Sequence, residues 1–328
     1  MSRPDVAYDA RRTTHMSVGM QQYARELLAR IPRLAPDLGF VAFGGGDNFD
    51  AAEQIAMPFW MLRERPRLVH FPSPFAPLTV PVPYVVTIHD LIDLHYPQWT
   101  KPKARWYYRK VIRRLARRAR FVITDDEATA EDVQRFYGVE AGRIVVIPLG
   151  IDTSPVLPVT HVRPYLIYAG NRRAHKDLGT LIEGWQRVDA SRDLDLVLTG
   201  PEDLRLAAAR ERGRVVFLGE LEHAEVLRWI AGASALVHAA LREGFGLPLL
   251  EAASLGTPIV VAEGAVPRPL RPVVRTFVAE DAAGLARAIE SALSQGRGEL
   301  VARAREVASG LTWDRCAQRT IEVYRRCL

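Results

Sequence analysis

Glu243-Gly244-Phe245-Gly246-Leu247-Pro248-Leu249-Leu250-Glu251 is the stretch that decides the fold, because it sets two carboxylates eight positions apart across a glycine-rich turn that opens a helix. The two glycines allow backbone to approach a ligand closely, since they carry no Cβ. The proline suits the first helical position, where no N–H is needed. The stretch is therefore either a ligand-binding turn or a plain capped helix start.

The chemistry of this turn favours a phosphate-bearing, polyhydroxylated ligand. The backbone amides of Phe245, Gly246 and Leu247 would lie at the positive end of the helix, which attracts phosphate. Glu243 just before the helix and Glu251 about one turn inside it would direct two carboxylates into one pocket. Carboxylates of this kind bind sugar hydroxyls.

The neighbouring segments place this turn in a parallel α/β sheet. Residues 234–238 form an apolar run that predicts a buried strand, and residues 256–261 predict a helix stop followed by another strand. The turn would then lie at the carboxyl end of a strand, where ligands bind in open α/β sheets.

Strands and helices alternate along the whole chain in the manner of doubly wound sheets. Further strands are predicted at residues 6–8, 41–43, 68–71, 84–88, 121–124, 165–169, 194–199 and 215–218, and helices at 20–30, 177–185 and 313–328. Residues 149–164 contain three prolines and no periodicity, which predicts an interdomain linker.

Composition indicates an ordinary globular protein. The chain has 328 residues, enough for two domains with cores, and it is 48% hydrophobic and 25% charged. No segment has the apolar length of a membrane span, and the first five residues lack the apolar core of a signal peptide, so we expect a cytoplasmic location. Cys316 and Cys327 show no metal-ligand or redox spacing and are expected to be free thiols.

Four further segments, together with the turn, resemble landmarks of the retaining glycosyltransferases of family 4, in that family's order. They are residues 84–91 (YVVTIHDL), 145–152 (VVIPLGID), 168–171 (YAGN) with Lys176, and 217–219 (FLG), while the turn resembles the E-x7-E motif. The resemblance extends from about Val6 to the last helix. It implies the GT-B architecture, in which two Rossmann-like α/β domains face each other across a cleft.

The same resemblance implies the domain limits. Residues 1–153 would form an acceptor-side domain and residues 154–164 a linker. Residues 165–310 would bind the nucleotide sugar, and a terminal helix at 311–328 would pack back on the first domain.

The activity implied by the resemblance is transfer of a hexose-type sugar from a nucleotide-diphosphate sugar to a hydroxyl acceptor, with retention at the anomeric carbon. No cofactor beyond the donor is implied, and bacterial cell-surface polysaccharide or glycolipid synthesis is the expected setting. Such a reaction depends on neutralising the departing diphosphate and orienting both substrates. Lys176 and Arg172 would supply the positive charge.

Residue-by-residue matching assigns the remaining roles. Glu243 would face the donor sugar hydroxyls and Glu251 would hold the ribose. His89 would contact the donor sugar and the developing charge. Gly19 would belong to a glycine loop near the phosphates or the acceptor, and Leu221 would lie near the base. The turn residues Gly244, Phe245, Gly246 and Leu247 would complete the donor site.

Two other functions stay open, and departures from the family pattern support the second of them, a noncatalytic protein, while the transferase motifs disfavour the first, an epimerase. Asn171, Gln21 and Asp126 stand where the family often has arginine, glycine and serine. The alternatives are a nucleotide-sugar epimerase on the same architecture and a noncatalytic partner protein that binds a nucleotide sugar.

A possible metal motif lies at Asp193-Leu194-Asp195. It resembles the Asp-x-Asp triplet of metal-dependent glycosyltransferases, but it comes just before a predicted strand. That is the amino end of the sheet, away from the expected site. We therefore expect no metal site, a solvated position for both aspartates, and activity that survives chelation.

Positive charge is concentrated in the first half of the chain. Residues 1–150 hold 21 Lys+Arg and 16 Asp+Glu, net +5, whereas residues 151–328 hold 23 and 22, net +1. Residues 101–120, from Lys101 to Arg120, contain ten basic residues, no acidic one and apolar residues at helical spacing. The run is either an interfacial helix that meets anionic lipid, with a lipid-linked acceptor, or a packed helix with solvated arginines. No nucleic-acid recognition motif accompanies it.

Overall fold

The computed structural model describes residues 3–11, 13–48, 50–152, 154–189, 193–200 and 214–328. The chain forms two compact units, one made of Met1–Gly150 with Leu311–Leu328 and the other of Ile151–Gly310. Thr153, where the first domain was predicted to end, lies outside the described residues.

The first unit is built on a parallel six-stranded sheet with both faces covered, and its strands are therefore apolar along most of their length. The strands are β1 (Val6–Asp9), β2 (Phe40–Phe43), β3 (Leu68–Phe71), β4 (Tyr84–Ile88), β5 (Phe121–Thr124) and β6 (Ile144–Val146). They are arranged in the order β2-β1-β3-β4-β5-β6.

Helices and helical turns surround this sheet. They are α1 (Val18–Leu34), a π-helical turn Ala52–Ala56 that continues into α2 (Met57–Glu64), α3 (Ile92–His95), α4 (Pro102–Tyr107), a π-helical turn Tyr108–Ile112, α5 (Arg113–Arg118), α6 (Glu127–Asp132), a π-helical turn Val133–Tyr137 and a 3-10 turn Ala141–Arg143. The predicted basic helix is thus one helical run from residue 102 to residue 118 that includes a π-helical turn.

The first helix differs from its prediction at both ends. It begins at Val18 because the Ser17 hydroxyl accepts a hydrogen bond from the Met20 N–H and caps the helix. It also continues past Pro32 to Leu34. Gly19, predicted to lie in a loop, is therefore in the first turn of α1.

The second unit contains another parallel six-stranded sheet. Its strands are β7 (Tyr165–Tyr168), β8 (Asp195–Leu198), β9 (Val215–Phe217), β10 (Ala235–His238), β11 (Ile259–Ala262) and β12 (Arg275–Phe277), in the order β12-β11-β10-β7-β8-β9. From β7 the strands follow in chain order towards one edge of the sheet, and from β10 they follow in chain order towards the other edge. The boundary between these two strands is the topological switch point, where ligands bind in such sheets.

Helices cover the sheet in the described part of this unit. They are α7 (Leu178–Arg187), α8 (His223–Gly232), α9 (Leu247–Leu255), α10 (Ala282–Gln295) and α11 (Glu299–Ser309), with 3-10 turns at Ala174–Lys176, Glu263–Ala265 and Arg268–Val273.

The last helix, α12 (Trp313–Cys327), packs on α1 of the first unit, which confirms the predicted return of the chain. The carboxylate of Asp314 accepts hydrogen bonds from Arg30 at 2.9 Å and Arg33 at 2.8 Å. Gly150 allows the return, because a Cβ there would overlap the backbone nitrogen of Trp313. The two unpaired cysteines are both in α12.

The predicted linker at 154–164 contains neither helix nor strand, but it lies along α8 of the second unit. The Val159 N–H donates to the carbonyl of Arg228 at 3.1 Å, and the Arg228 side chain donates to the carbonyl of Leu157 at 3.2 Å. The segment is thus held by the second unit.

The solvated position expected for Asp195 is wrong. It lies at the amino end of β8, as predicted, but it is only 3% exposed. Its carboxylate pairs with His161 at 2.8 Å and with Arg163 at 3.4 Å. A buried carboxylate needs such partners. This aspartate therefore has a structural role at the amino end of the sheet, opposite the edge where ligands bind.

No helix in the described part of the chain combines the length and apolar character needed to cross a membrane.

Candidate functional site

Two loops meet at the switch point of the second unit. One follows β7 and contains Lys176, and the other follows β10 and contains Glu243. The strands are parallel neighbours, with Leu236 opposite Ile167, so both loops leave the same edge of the sheet. The Leu241 N–H donates to the carbonyl of His175 at 2.8 Å and joins them.

A buried ionic cluster stands where these loops join. Lys176 donates to Glu243 Oε1, and His238 Nε2 donates to the same oxygen at 2.5 Å. Burial opposes the charge on Glu243, but the nearby Lys176 and His238 outweigh it and hold the pKa of this carboxyl well below its usual range. Glu243 is therefore a carboxylate at neutral pH and a fixed hydrogen-bond acceptor.

Local backbone geometry directs Lys176 into this cluster. It ends the 3-10 turn Ala174–Lys176, and the next residue, Asp177, has a left-handed φ of 46°. The Asp177 carboxylate then caps α7 by accepting from the Thr180 N–H at 3.3 Å. This cap offsets the strain of the left-handed residue.

His238 is the member of the cluster that sequence reasoning missed. It is the last residue of β10, and its ring stacks on Tyr168 with centroids 5.7 Å apart. A histidine that ends a buried strand five residues before Glu243 was the available signal, but β10 was interpreted only as a strand.

The glycine-rich turn opens α9 largely as predicted. Gly246 is the N-cap, with a left-handed φ of 71°, and a Cβ there would come within 3.0 Å of Leu249. The helix begins at Leu247, so Pro248 occupies the second helical position and not the expected first. The N–H groups at the start of a helix have no carbonyl acceptor within the helix. The backbone N–H groups that follow Gly244 therefore form a positively polarised helix end.

The second carboxylate of the motif has its own partner. Glu251 lies inside α9 and is buried, which raises its pKa to about 8. His223, at the start of α8, comes within 3.3 Å of Glu251 Oε1. The two glutamates of the motif thus have different partners, Lys176 and His238 for Glu243 and His223 for Glu251. Sequence reasoning did not identify His223.

Arg172 and Leu221 lie on the β8 and β9 side of the unit. The Arg172 guanidinium donates to the carbonyls of Thr199 at 3.0 Å and Gly200 at 3.3 Å, and it covers the Phe217 ring at 5.1 Å. Leu221 follows β9 in the loop that leads to α8. Arg172 is therefore anchored at the ends of β8 and β9, and it is not a member of the cluster formed by Lys176, Glu243 and His238.

In the first unit, His89 follows β4 and is buried. Its Nδ1 is 2.6 Å from the carboxylate of Asp125, and its Nε2 donates to the carbonyl of Pro72 at 3.0 Å. Both ring nitrogens are therefore occupied inside this unit. The side-chain contact with a donor sugar expected for His89 would require one of these bonds to open.

Two aspartates explain the unusual sequence after β5. Asp125 pairs with His89 and was not assigned a role from sequence. Asp126 caps α6 by accepting from the Thr129 N–H at 2.7 Å, which is also what a serine could do there.

Among the described residues, no group of three or more His, Cys, Asp or Glu side chains is arranged to bind a metal ion.

Two Rossmann-like units with a charged site at a switch point define a class, and family models identify it. Residues 18–155 match Glycosyltransferase Family 4, and residues 163–295 match Glycosyl transferases group 1. The chain belongs to this family of GT-B glycosyltransferases.

Curated relatives include three mannosyltransferases. The O-antigen chain mannosyltransferase RfbU of Salmonella typhimurium is 24% identical over 54% of this chain and 51% of its own length. The MMP alpha-(1->4)-mannosyltransferase of Mycolicibacterium hassiacum is 28% identical over 77% of this chain and 66% of its own. O-antigen chain mannosyltransferase B of Escherichia coli is 25% identical over 81% and 76%. The chain thus spans about half to three quarters of these relatives.

Solved structures share the fold. HepE of Anabaena, in complex with UDP and glucose, superposes with a TM-score of 0.74 at 16% identity, covering 98% of this chain and all of that one. A sucrose-phosphate synthase from Thermosynechococcus elongatus superposes with a TM-score of 0.79 at 19% identity, covering 99% of both chains.

The raised pKa of Glu251 leads to a stability prediction. The folded protein keeps this proton up to about pH 8, whereas an ordinary glutamate loses it near 4.5. Stability should therefore fall as pH rises between these values, by up to about 1.4 kcal/mol per pH unit. Glu251→Gln should remove this dependence. The melting temperature of the variant, measured relative to that of the wild type, should therefore rise from pH 5 to pH 8.

Glu220→Gln is the matched control, since Glu220 is exposed after β9. It should track the wild type at every pH. A constant difference between Glu251→Gln and wild type across this range would show that Glu251 titrates normally.

Proposed function

We propose that this protein is a retaining glycosyltransferase that moves a hexose-type sugar from a nucleotide-diphosphate sugar to a hydroxyl acceptor. The observation that carries the proposal is the buried cluster of Lys176, Glu243 and His238 at the switch point, next to the N-terminus of α9. It combines a fixed acceptor for sugar hydroxyls with positive charge for a diphosphate.

Each part of the cluster has a defined task in this reaction. The bond from the anomeric carbon to the diphosphate breaks, and the acceptor oxygen bonds to that carbon on the same face, which retains its configuration. The acceptor's proton passes to an oxygen of the departing diphosphate. Negative charge then grows on the diphosphate, where Lys176 and the amides around Gly246 would stabilise it. Arg172 would add charge from the β8 side.

Glu243 is suited to binding and not to proton donation. Its low pKa keeps it ionised, because Lys176 and His238 stabilise the carboxylate against the cost of burial. It would accept hydrogen bonds from donor hydroxyls. Glu251, which is protonated more readily, would hold the ribose hydroxyls, and the loop containing Leu221 would contact the base.

The relatives support the substrate class. The curated relatives named above include O-antigen chain mannosyltransferases, and the Anabaena structures contain UDP, UDP with glucose, or UDP-glucose. We infer a nucleotide-sugar donor and a role in cell-surface polysaccharide or glycolipid synthesis. We also infer that no divalent cation takes part.

We further propose that the first unit meets an anionic membrane surface and receives a lipid-linked acceptor there. In the helical run from 102 to 118, the side chains of Tyr108, Ile112 and Leu115 are buried, while most of the basic side chains are exposed. Trp106 is also exposed, as interfacial aromatic residues are at membrane surfaces. Such a helix suits peripheral attachment on the cytoplasmic side.

A second exposed feature of the same unit, an apolar stripe, also suits contact with a membrane surface. Ile55, Phe59 and Leu62 are exposed at helical spacing, from the π-helical turn before α2 to its last turn. The buried Arg11 side chain pairs with Glu53 of that turn and donates to the carbonyl of Phe75, whose ring stacks on Tyr107 of α4. The apolar stripe and the basic run are therefore linked through one packed region.

Turnover should depend on the cluster. Lys176→Ala and Glu243→Gln should each lower the transfer rate at least about a hundredfold, as expected for loss of one preorganised charged group. The assay follows product from UDP-, GDP-, ADP- and dTDP-sugars in excess EDTA, with the anomeric configuration determined by NMR. Glu299→Gln, an exposed change on α11, should retain the wild-type rate.

Near wild-type rates for both cluster variants would refute the site. Activity lost in EDTA and restored by manganese would refute metal independence. An epimerised donor would indicate an epimerase, and donor binding without turnover would indicate a noncatalytic protein.

The membrane contact should depend on exposed arginines. The wild type should co-sediment with phosphatidylglycerol vesicles at physiological salt and not with phosphatidylcholine vesicles. Arg113→Glu with Arg117→Glu should weaken binding at least about tenfold, since each basic residue contributes about 1 kcal/mol near such a surface. Arg287→Glu with Arg303→Glu makes the same charge change on the second unit and should bind like wild type. Absence of wild-type binding would remove the membrane proposal.

A further inference from the structure

Three neighbouring strand ends of the first unit converge on His89. β3 ends at Phe71, β4 at Ile88 and β5 at Thr124, and Ile88 lies directly opposite Thr124 in the parallel register. The next residue along each strand is Pro72, His89 and Asp125 respectively. Parallel pairing therefore brings a carbonyl and a carboxylate to the two sides of one imidazole ring.

The hydrogen bonds fix where the protons are. The Pro72 carbonyl can only accept, so Nε2 of His89 carries a hydrogen. On the other side, Nδ1 stands 2.6 Å from Asp125 Oδ2, which requires a second proton between these two atoms. If His89 holds it, the ring is an imidazolium beside a carboxylate.

Burial acts against charge on both members of this pair. It raises the pKa of Asp125, although the neighbouring ring opposes that shift. Burial also opposes charge on the ring, but Asp125 and Asp90 outweigh it and raise the pKa of His89 above its ordinary value. His70, from β3, stays neutral because burial lowers its pKa to about 3. Burial also raises the pKa of Tyr23 from α1 and of Cys316 from α12, so neither carries charge at neutral pH.

The ring is also fixed in orientation. Tyr23 packs edge-on against it with centroids 4.9 Å apart, and the Tyr23 hydroxyl is bonded to Thr87 at 3.0 Å. Asp125 is only 1% exposed, and among the described residues its Oδ1 has no hydrogen-bond partner. The buried carboxylate thus depends on His89 for its stabilisation.

We propose that Asp125 is a positioning residue that keeps His89 permanently protonated and immobile, so that His89 acts as a fixed positive charge at the carboxyl end of β4. The use of this charge in transfer rests on the proposed function; the protonation itself does not. Asp125 stabilises the imidazolium, and a fixed positive charge of this kind stabilises negative charge that develops during transfer.

The test follows the protonation of His89 and the transfer rate separately. In the full chain labelled with ¹⁵N-histidine, the His89 signals are assigned by their loss in His89→Gln. Wild-type His89 should carry protons on both ring nitrogens at neutral pH. In Asp125→Asn the ring should lose one of them at a lower pH than in the wild type, because an amide does not stabilise the imidazolium as a carboxylate does.

The rate should follow the charge. For Asp125→Asn, kcat/KM should be at least about tenfold below wild type at pH 8 and should recover towards wild type at pH 6, where the ring regains its proton. Asp125→Glu should restore both the protonation and the rate. Asp132→Asn is the matched control, because Asp132 pairs with His95 at 2.7 Å elsewhere in the same unit.

A neutral His89 ring in the wild type would overturn the proposal, and this measurement needs a variant, His89→Gln, only to assign the signals. A ring that loses its proton in Asp125→Asn without any pH-dependent change in rate would also overturn it, since the pair would then only join three strand ends. That second result would leave the proposed function standing, because the Lys176 and Glu243 variants test it independently.

Discussion

The structure depends most on one constraint, that a largely buried carboxylate needs positive charge and hydrogen-bond donors held in place beside it. Glu243 meets this constraint with Lys176 and His238, which come from two loops and a strand end. Breaking such a buried set by removing one member leaves an uncompensated charge and costs about 3–5 kcal/mol. The cluster therefore fixes the two loops relative to each other, and any ligand meets a preorganised arrangement of charge.

Parallel strand register extends the same logic to both units. Because neighbouring strands point the same way, residues that follow their carboxyl ends become neighbours even when they are far apart in sequence. This brings His89 to Asp125 in the first unit and Lys176 to Glu243 in the second. Charged groups at the opposite edge, such as Asp195, are paired with His161 and Arg163 and pack the sheet.

The fold could be predicted from the sequence where local patterns were strong. The strands 68–71, 84–88 and 121–124 were predicted with the bounds observed, because each is a short run of mainly apolar residues, with one polar residue in each. By contrast, β12 (Arg275–Phe277) has three residues and a charged one among them, so no pattern marked it. The start of α1 was also missed, although Ser17 is an ordinary capping residue.

The candidate site was only partly predictable for the same reason. Glu243, Lys176 and the turn around Gly246 carry recognisable chemistry in short motifs. The partners His238, His223 and Asp125 act through contacts set by register and helix packing, and only His238, at the end of a buried strand, left a signal in the local sequence. The two glutamates of the motif also differ in their surroundings: burial raises the pKa of Glu251, whereas at Glu243 burial is outweighed by Lys176 and His238, which lower the pKa.

The central claim is that the Lys176 and Glu243 cluster, with the start of α9, forms a nucleoside-diphosphate site. Thermal-shift measurements with UDP, GDP, ADP and dTDP test it most directly, because a ligand that binds the folded state raises the melting temperature by mass action. The account predicts that at least one diphosphate stabilises the protein and that its parent nucleoside does so far less. Equal melting temperatures with and without all four diphosphates at millimolar concentration would contradict it.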